Sequence, residues 1–171
     1  ITPTITDYAS WWKGLSHASD FYFHHAIFEL IDNAYSNCVS PPGPYRTTDP
    51  TIEVVLIDHG KEGYRLFVSD NGSGIDLDTF RKTIMNPGAL PQHKGRLTEH
   101  GFGLKNALSY IQGGQQKDFA ITSKSDDGIW RLEGPYKEKM HLHEVTTAEW
   151  SEPIVCQRLR QRRIKGTTVT T

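Results

Sequence analysis

The chain reads as an α+β sandwich, a sheet layered with helices. Three observations predict it. An amphipathic helical pattern lies early, at 20–37. A second lies at 103–112. After Gly113-Gly114 the chain turns to short strand-like runs until its end. A length of 171 residues suits one domain with a substantial core.

Each element has its own signal. Residues 1–12 show no strong period, and 1–19 are set apart as an N-terminal arm ahead of a domain spanning 20–171, with Trp11-Trp12 either part of a dimerising arm or, the better fit, a pair capping the core. From Asp20 to Asn37, Ile27, Leu30, Ile31 and Ala34 recur at helical spacing as one apolar stripe, with Ser19 or Asp20 as the cap. The run Pro41-Pro42-Gly43-Pro44 ends anything helical. Ile52–Ile57 is a largely apolar strand and Tyr64–Asp70 a second, joined as a hairpin through the turn at 60–63. Leu77–Ile84 is a short helix. Residues 86–100 are polar and broken by Pro87, Gly88, Pro91 and Gly95; a loop of that length in a compact domain is usually functional. Gly103–Gln112 is helical, with Leu104, Ala107, Leu108 and Ile111 on one face. Strands follow at 118–123, 129–133, 141–146, 154–158 and 167–171, although 157–163 fits a helix equally well.

Composition removes several classes of function. Hydrophobic residues make up 36% and charged residues 23%, which excludes a disordered, collagenous or coiled-coil chain. The net charge of -1 argues for no polyanionic or membrane partner, and no apolar run approaches the roughly 20 residues a membrane helix needs. Two cysteines, Cys38 and Cys156, make no disulfide framework, so the expected home is intracellular, cytoplasmic or nuclear. A first residue that is Ile rather than Met, and an end inside a strand pattern, lead us to expect a piece of a longer protein.

Four segments carry chemistry. In Glu29-Leu30-Ile31-Asp32-Asn33, the spacing stacks Glu29 and Asn33 on one helix face, roughly opposite the apolar stripe. There Glu29 can take a proton from water and Asn33 can offer a hard oxygen to Mg²⁺; a solvated polar face gives the same pattern. In Asp70-Asn71-Gly72-Ser73-Gly74-Ile75, strand alternation puts Asp70 on the face of Leu66 and Val68, under the helical layer. A buried carboxylate needs partners, and an adenine amino group is one. Gly72 and Gly74 allow close backbone approach to a flat ligand, or merely form a turn. In His100-Gly101-Phe102-Gly103-Leu104-Lys105, a glycine-rich loop opens a helix, an arrangement that offers backbone N–H groups to phosphate. Lys105 in the first turn opposes the helix dipole, which a nearby anion would explain. The fourth segment, Gly166-Thr167-Thr168-Val169, is alone only a β-branched strand.

In this order the four segments resemble the GHKL ATPase superfamily, whose members include DNA gyrase B subunits, the ninety-kilodalton heat-shock chaperones, bacterial histidine kinases and MutL mismatch-repair proteins. The resemblance covers about residues 20–171. It implies the Bergerat fold, a mixed, mostly antiparallel sheet with helices on one face and ATP between the layers. It also implies ATP and Mg²⁺ as ligands. Under it, Glu29 is the general base, Asn33 the Mg²⁺ ligand and Asp70 the adenine-binding carboxylate. Gly72, Gly74 and Ile75 lie along the base, and residues 86–100 are the ATP lid. Gly101, Phe102, Gly103, Leu104 and Lys105 form the phosphate-binding turn, and Thr167 or Thr168 joins Asp70 at the adenine.

The branch is the next question. His100-Gly-Phe-Gly is similar to the gyrase pattern, and Gly103-Leu104-Lys105 with Lys117-Asp118-Phe119 is similar to the Microrchidia (MORC) ATPases. Gly101 and Gly166 are 65 residues apart, longer than in the more compact kinase domains. The reading is therefore an ATPase of the gyrase, chaperone and MutL branch, a switch that dimerises on ATP in the full-length protein. A histidine kinase catalytic domain and a non-hydrolysing nucleotide module are the alternatives. The transducer domain that supplies a catalytic lysine in that branch is absent from this chain, so weak turnover by this piece is expected. Five cations between Arg158 and Lys165 suggest a nucleic-acid or protein partner, or a charged strand edge.

Overall fold

The computed structural model describes residues 7–17, 21–39, 47, 49–86, 103–137 and 140–171. Helix α2 (Phe23–Val39) buries Ala26, Leu30, Ala34 and Cys38, one row at four-residue spacing. Ile27 and Ile31 of the expected stripe are only partly buried at its margin. Within the segment set apart as an arm, residues Tyr8–Ser16 form helix α1, capped by the Asp7 carboxylate. Its Trp12 is 1% exposed and lies among Phe119 and Tyr136, its indole donating to Gln112 Oε1 at 3.0 Å. The paired tryptophans thus belong to the core of the domain. A fully buried side chain of this kind contributes roughly 1.5–3 kcal/mol or more. The expected caps, Ser19 and Asp20, lie outside the described residues.

The strands are β1 (Ile52–Asp58), β2 (Tyr64–Asp70), β3 (Ala120–Ser125), β4 (Gly128–Glu133), β5 (His141–Glu144) and β6 (Gly166–Thr170). They form one sheet in the order β1-β2-β6-β3-β4-β5. Every pairing is antiparallel, the limit of the mostly antiparallel sheet expected. The last strand inserts between β2 and β3, so residues far apart in sequence become neighbours. Helix α4 (Gly103–Ile111) packs between α1 and α2, and these helices cover one face of the sheet. Helix α3 (Leu77–Thr79) runs on as a π-helical turn, Phe80–Ile84, with Phe80 and Ile84 buried.

Two short helices depart from the expected strands. Thr146 and Glu149 form a reciprocal capping box, which stops the expected strand 141–146 at Glu144 and starts α5 (Thr147–Ser151). The expected strand 154–158 does not form. The Glu53 carboxylate accepts from the backbone N–H groups of Val155 and Cys156, and α6 (Gln157–Arg162) follows, the helical alternative for this segment. Helix α5 brings Trp150 to the face of the sheet opposite α2, where its indole donates to Gly166 O at 3.1 Å. The helices are therefore not confined to one face, although α1, α2 and α4 are. Cys38 and Cys156 are both free thiols. No helix among the described residues is long and apolar enough to cross a membrane.

Candidate functional site

Asp70 ends β2 and is 2% exposed. Its Oδ1 accepts from the backbone N–H of Gly72 at 2.8 Å and of Thr167 at 3.2 Å, and the Asn37 amide also reaches the carboxylate. Burial pushes its pKa up to about 6; the charge of Arg163 and these hydrogen bonds oppose that rise. At neutral pH the group is thus a mostly ionised carboxylate, held by amide donors inside the fold.

The loop after Asp70 is wedged between α2 and β3. A Cβ on Gly72 would run into the backbone of Asn37, whose carbonyl accepts from Ser73 N at 3.0 Å. Gly74 has φ +75, and a Cβ there would overlap Lys124 O. Ile75 N donates to Ser123 Oγ at 2.7 Å. The two glycines are therefore needed first for packing. Asn71 anchors the turn from behind, accepting from Thr51 N at 2.8 Å and donating to Asp49 O at 3.0 Å.

Strand alternation separates the two candidate threonines. Thr167 faces α2: its hydroxyl accepts from Asn37 Nδ2 at 3.4 Å and lies 2.9 Å from Ser123 Oγ. Thr168 points to the opposite face, where it meets Ser69 Oγ at 3.0 Å and accepts from Arg163 at 2.9 Å. Of the pair, Thr167 is the one beside Asp70; Thr168 lines the back of the sheet.

Glu29, Asn33 and Asn37 fall on one row of α2, flanking its buried stripe rather than opposing it. Asn33 Nδ2 donates to Glu29 O at 2.7 Å, so the amide is turned with its donor on the helix and its oxygen left as the acceptor. Glu29 sits against the opening of α4, where a Cβ on Gly103 would overlap its carboxylate. A carboxylate is favoured beside a helix N-terminus. Burial first, and the charge of Asp32 second, raise the Glu29 pKa above the usual carboxylate value. Phe21, His25 and Phe28 line a shallow pocket together with Glu29 and Asp32.

The remaining expected residues divide. Leu104 packs partly buried on the core. Lys105 is 1% exposed and donates to Thr83 O at 3.1 Å and Asn86 O at 2.6 Å, and burial pushes its pKa down to about 8. Those carbonyls account for a cation in the first helical turn. Gly101, Phe102 and residues 87–100 of the expected lid lie outside the described residues.

Asn37, Ser123 and Arg163 were not expected at the site. Asn37 continues the Glu29–Asn33 row, a signal present in the sequence. Ser123 is placed by its pairing with Thr167, which only the fold reveals. Arg163 is 7% exposed, stacks on Trp150 at 4.3 Å and donates to Trp150 O at 3.3 Å. It belongs to the basic run, which does not form one free patch. Arg158 and Arg162 bond Asp49, Arg160 bonds Ile154 O, and Lys165 bonds Asp126.

A family model described as "Histidine kinase-, DNA gyrase B-, and HSP90-like ATPase" matches residues 21–164. No curated protein matches the chain.

Proposed function

The chain belongs to the histidine kinase-, DNA gyrase B- and HSP90-like ATPase family and is an ATP-binding domain of it; from that premise we propose that it hydrolyses ATP with Mg²⁺, as a conformational and dimerisation switch in a larger protein. The observation that carries the reading is Asp70, a buried carboxylate fixed by two backbone amides at the end of β2. An ionised acceptor in that position selects a ligand that brings N–H donors, as the adenine amino group does. Thr167 and Asn37 stand beside it to share the ligand through their polar groups.

At the other end, Glu29 has the attributes of a general base. It is half-buried, its pKa is raised, and it lies at the opening of α4, where the phosphates of ATP would lie by the family resemblance. It takes the proton of the attacking water. The donor set on α2 also fits Mg²⁺, since a carboxamide oxygen and nearby carboxylates are hard oxygen ligands. Asn33 would hold the ion, which when bound neutralises phosphate charge. Gly103 admits the carboxylate to the helix end, and Lys105 ties α4 to Asn86, the first residue of the expected lid.

Calorimetry with ATP and ADP tests the reading. Both bind the wild-type chain, and Asp70→Ala loses roughly ten- to a hundred-fold in affinity, the cost of leaving a buried hydrogen-bond group unpaired. Wild-type affinity in Asp70→Ala removes this residue from the site and the reading with it.

A further inference from the structure

We propose a second ligand site on the face of the sheet away from α2, a transition-metal site built by Glu133, His141 and His143. The register makes it. Glu133 of β4 pairs directly with His141 of the edge strand β5, and Arg131 pairs with His143. Leu132 and Leu142 pair between them, and Leu132 is fully buried in the helix-covered core. Alternation therefore sends Glu133, His141 and His143 together to the opposite face. There one ligand atom from each residue lies within 4.8 Å of the other two. His141 Nδ1 is 3.1 Å from Glu133 Oε2, and the two imidazoles stack with centroids 4.2 Å apart. Ligands around a tetrahedral Zn²⁺ stand roughly 3.3–3.6 Å from one another, so small side-chain rotations gather the three on one ion.

Two further features favour a metal over a simple histidine–carboxylate ion pair. Arg131 Nε donates to Glu133 Oε1 at 2.9 Å, which fixes the carboxylate from behind and leaves Oε2 on the histidine side. Such outer contacts orient metal ligands. His143, itself half-buried, also keeps Nδ1 buried with no hydrogen-bond partner, a desolvated nitrogen for which a metal bond would compensate. Two imidazoles and one carboxylate suit Zn²⁺, Ni²⁺ or Cu²⁺ and not Mg²⁺, so this site is chemically distinct from the one proposed at Asn33. With three protein ligands, the fourth position is left for water. Because the ligands come from two strands, the bound ion clips the edge strand β5 to β4 and stabilises the folded sheet.

Zn²⁺ titration of the nucleotide-free 171-residue chain tests the proposal, read by calorimetry and by thermal melting. The wild type binds Zn²⁺ and its Tm rises. His141→Gln and His143→Gln each weaken binding by at least about ten-fold, as expected when a ligand is lost, and abolish the rise in Tm. His141 is exposed, so its variant folds normally, and circular dichroism checks both. The neighbouring pair His24 and His25, with rings 4.1 Å apart, is the competing site. A His24→Gln, His25→Gln double variant keeps full binding if the ion sits on β4 and β5. Binding that survives in His141→Gln and disappears in the double variant overturns the proposal, as does a wild type that binds no Zn²⁺.

Discussion

At the sheet end of the candidate site, Asp70 is buried and its neighbours are held by strand register and backbone bonds: Thr167 from β6, Ser123 from β3 and Gly72 locked on Asn37. At the helix end, Glu29 and Asn33 stand half-buried on one row of α2, and their supports are a helix opening and a single side-chain bond. The first end is held in place by the fold itself, which on the proposed reading lowers the ordering cost of binding. The second is partly open to solvent, which the proposed role of Glu29 requires. On the proposed reading, affinity and turnover should therefore separate between these two ends.

The largest effect breaks the helix end alone. In the full-length protein, Glu29→Ala lowers kcat by roughly 10²–10⁴-fold and leaves ATP affinity near wild type, because a general base acts in the transition state. Steady-state ATPase assays and calorimetry on the same variant check this; undiminished turnover ends the proposed division. Next comes the support behind the sheet end. Arg163→Met removes hydrogen bonds to Thr168 and Trp150 O inside the fold. It should cost about 1–3 kcal/mol of stability in denaturant unfolding, and it should weaken ATP binding at neutral pH by removing a cation that keeps Asp70 ionised. A smaller effect sharpens the contrast. Asn33→Ala should weaken binding of ATP only when Mg²⁺ is present, whereas an Asp70 variant weakens it with or without the ion.

The smallest effect is read against pH. Asp70 has a pKa of about 6 in the fold against 3.8 ordinarily. Between those values the unfolded chain has released a proton that the folded chain retains. Stability of the ligand-free fold therefore falls as pH rises through that window and levels off above about 6. Asp70→Asn lacks this fall, so the difference between the two melting profiles isolates the group. ATP affinity of the wild type runs the other way. It drops below about pH 6, as protonation takes away the acceptor.

How much of this was readable in the chain varies with the distance over which each feature is decided. Strand β2 matches its expected bounds, Tyr64–Asp70, because alternation and flanking turn residues are local signals. The same locality makes Glu29, Asn33 and Asp70 stand out as candidates. Helix α5 was readable, yet no element is expected over 147–151: Thr146-x-x-Glu149 is a capping box, and the β-branched residues Val145 and Thr146 extend the expected strand up to its cap. Helix α1 does carry a helical period: Tyr8, Trp11, Trp12 and Leu15 recur at i, i+3, i+4 and i+7 and pack on the core, but the stripe runs past residue 12, so the first dozen residues show little of it. Ser123 and the choice of Thr167 over Thr168 depend on which strand lies beside β2. That is a property of topology, not of any window. Arg163 looked like its four basic neighbours, and only packing against Trp150 sets it apart.

The insertion of β6 between β2 and β3 bears on how the domain is made. Asp70 and the amide that holds it are 97 residues apart in the chain. During synthesis the hairpin β1–β2 can pair long before residue 167 leaves the ribosome, yet its inner edge then faces no partner strand. Closing a contact of that span is slow, since the loop entropy is spent before the pairing rewards it. An unfinished chain therefore holds a carboxylate without its second donor. On the proposed reading, a nucleotide that needs Asp70 and Thr167 together stabilises the completed sheet and not the unfinished chain.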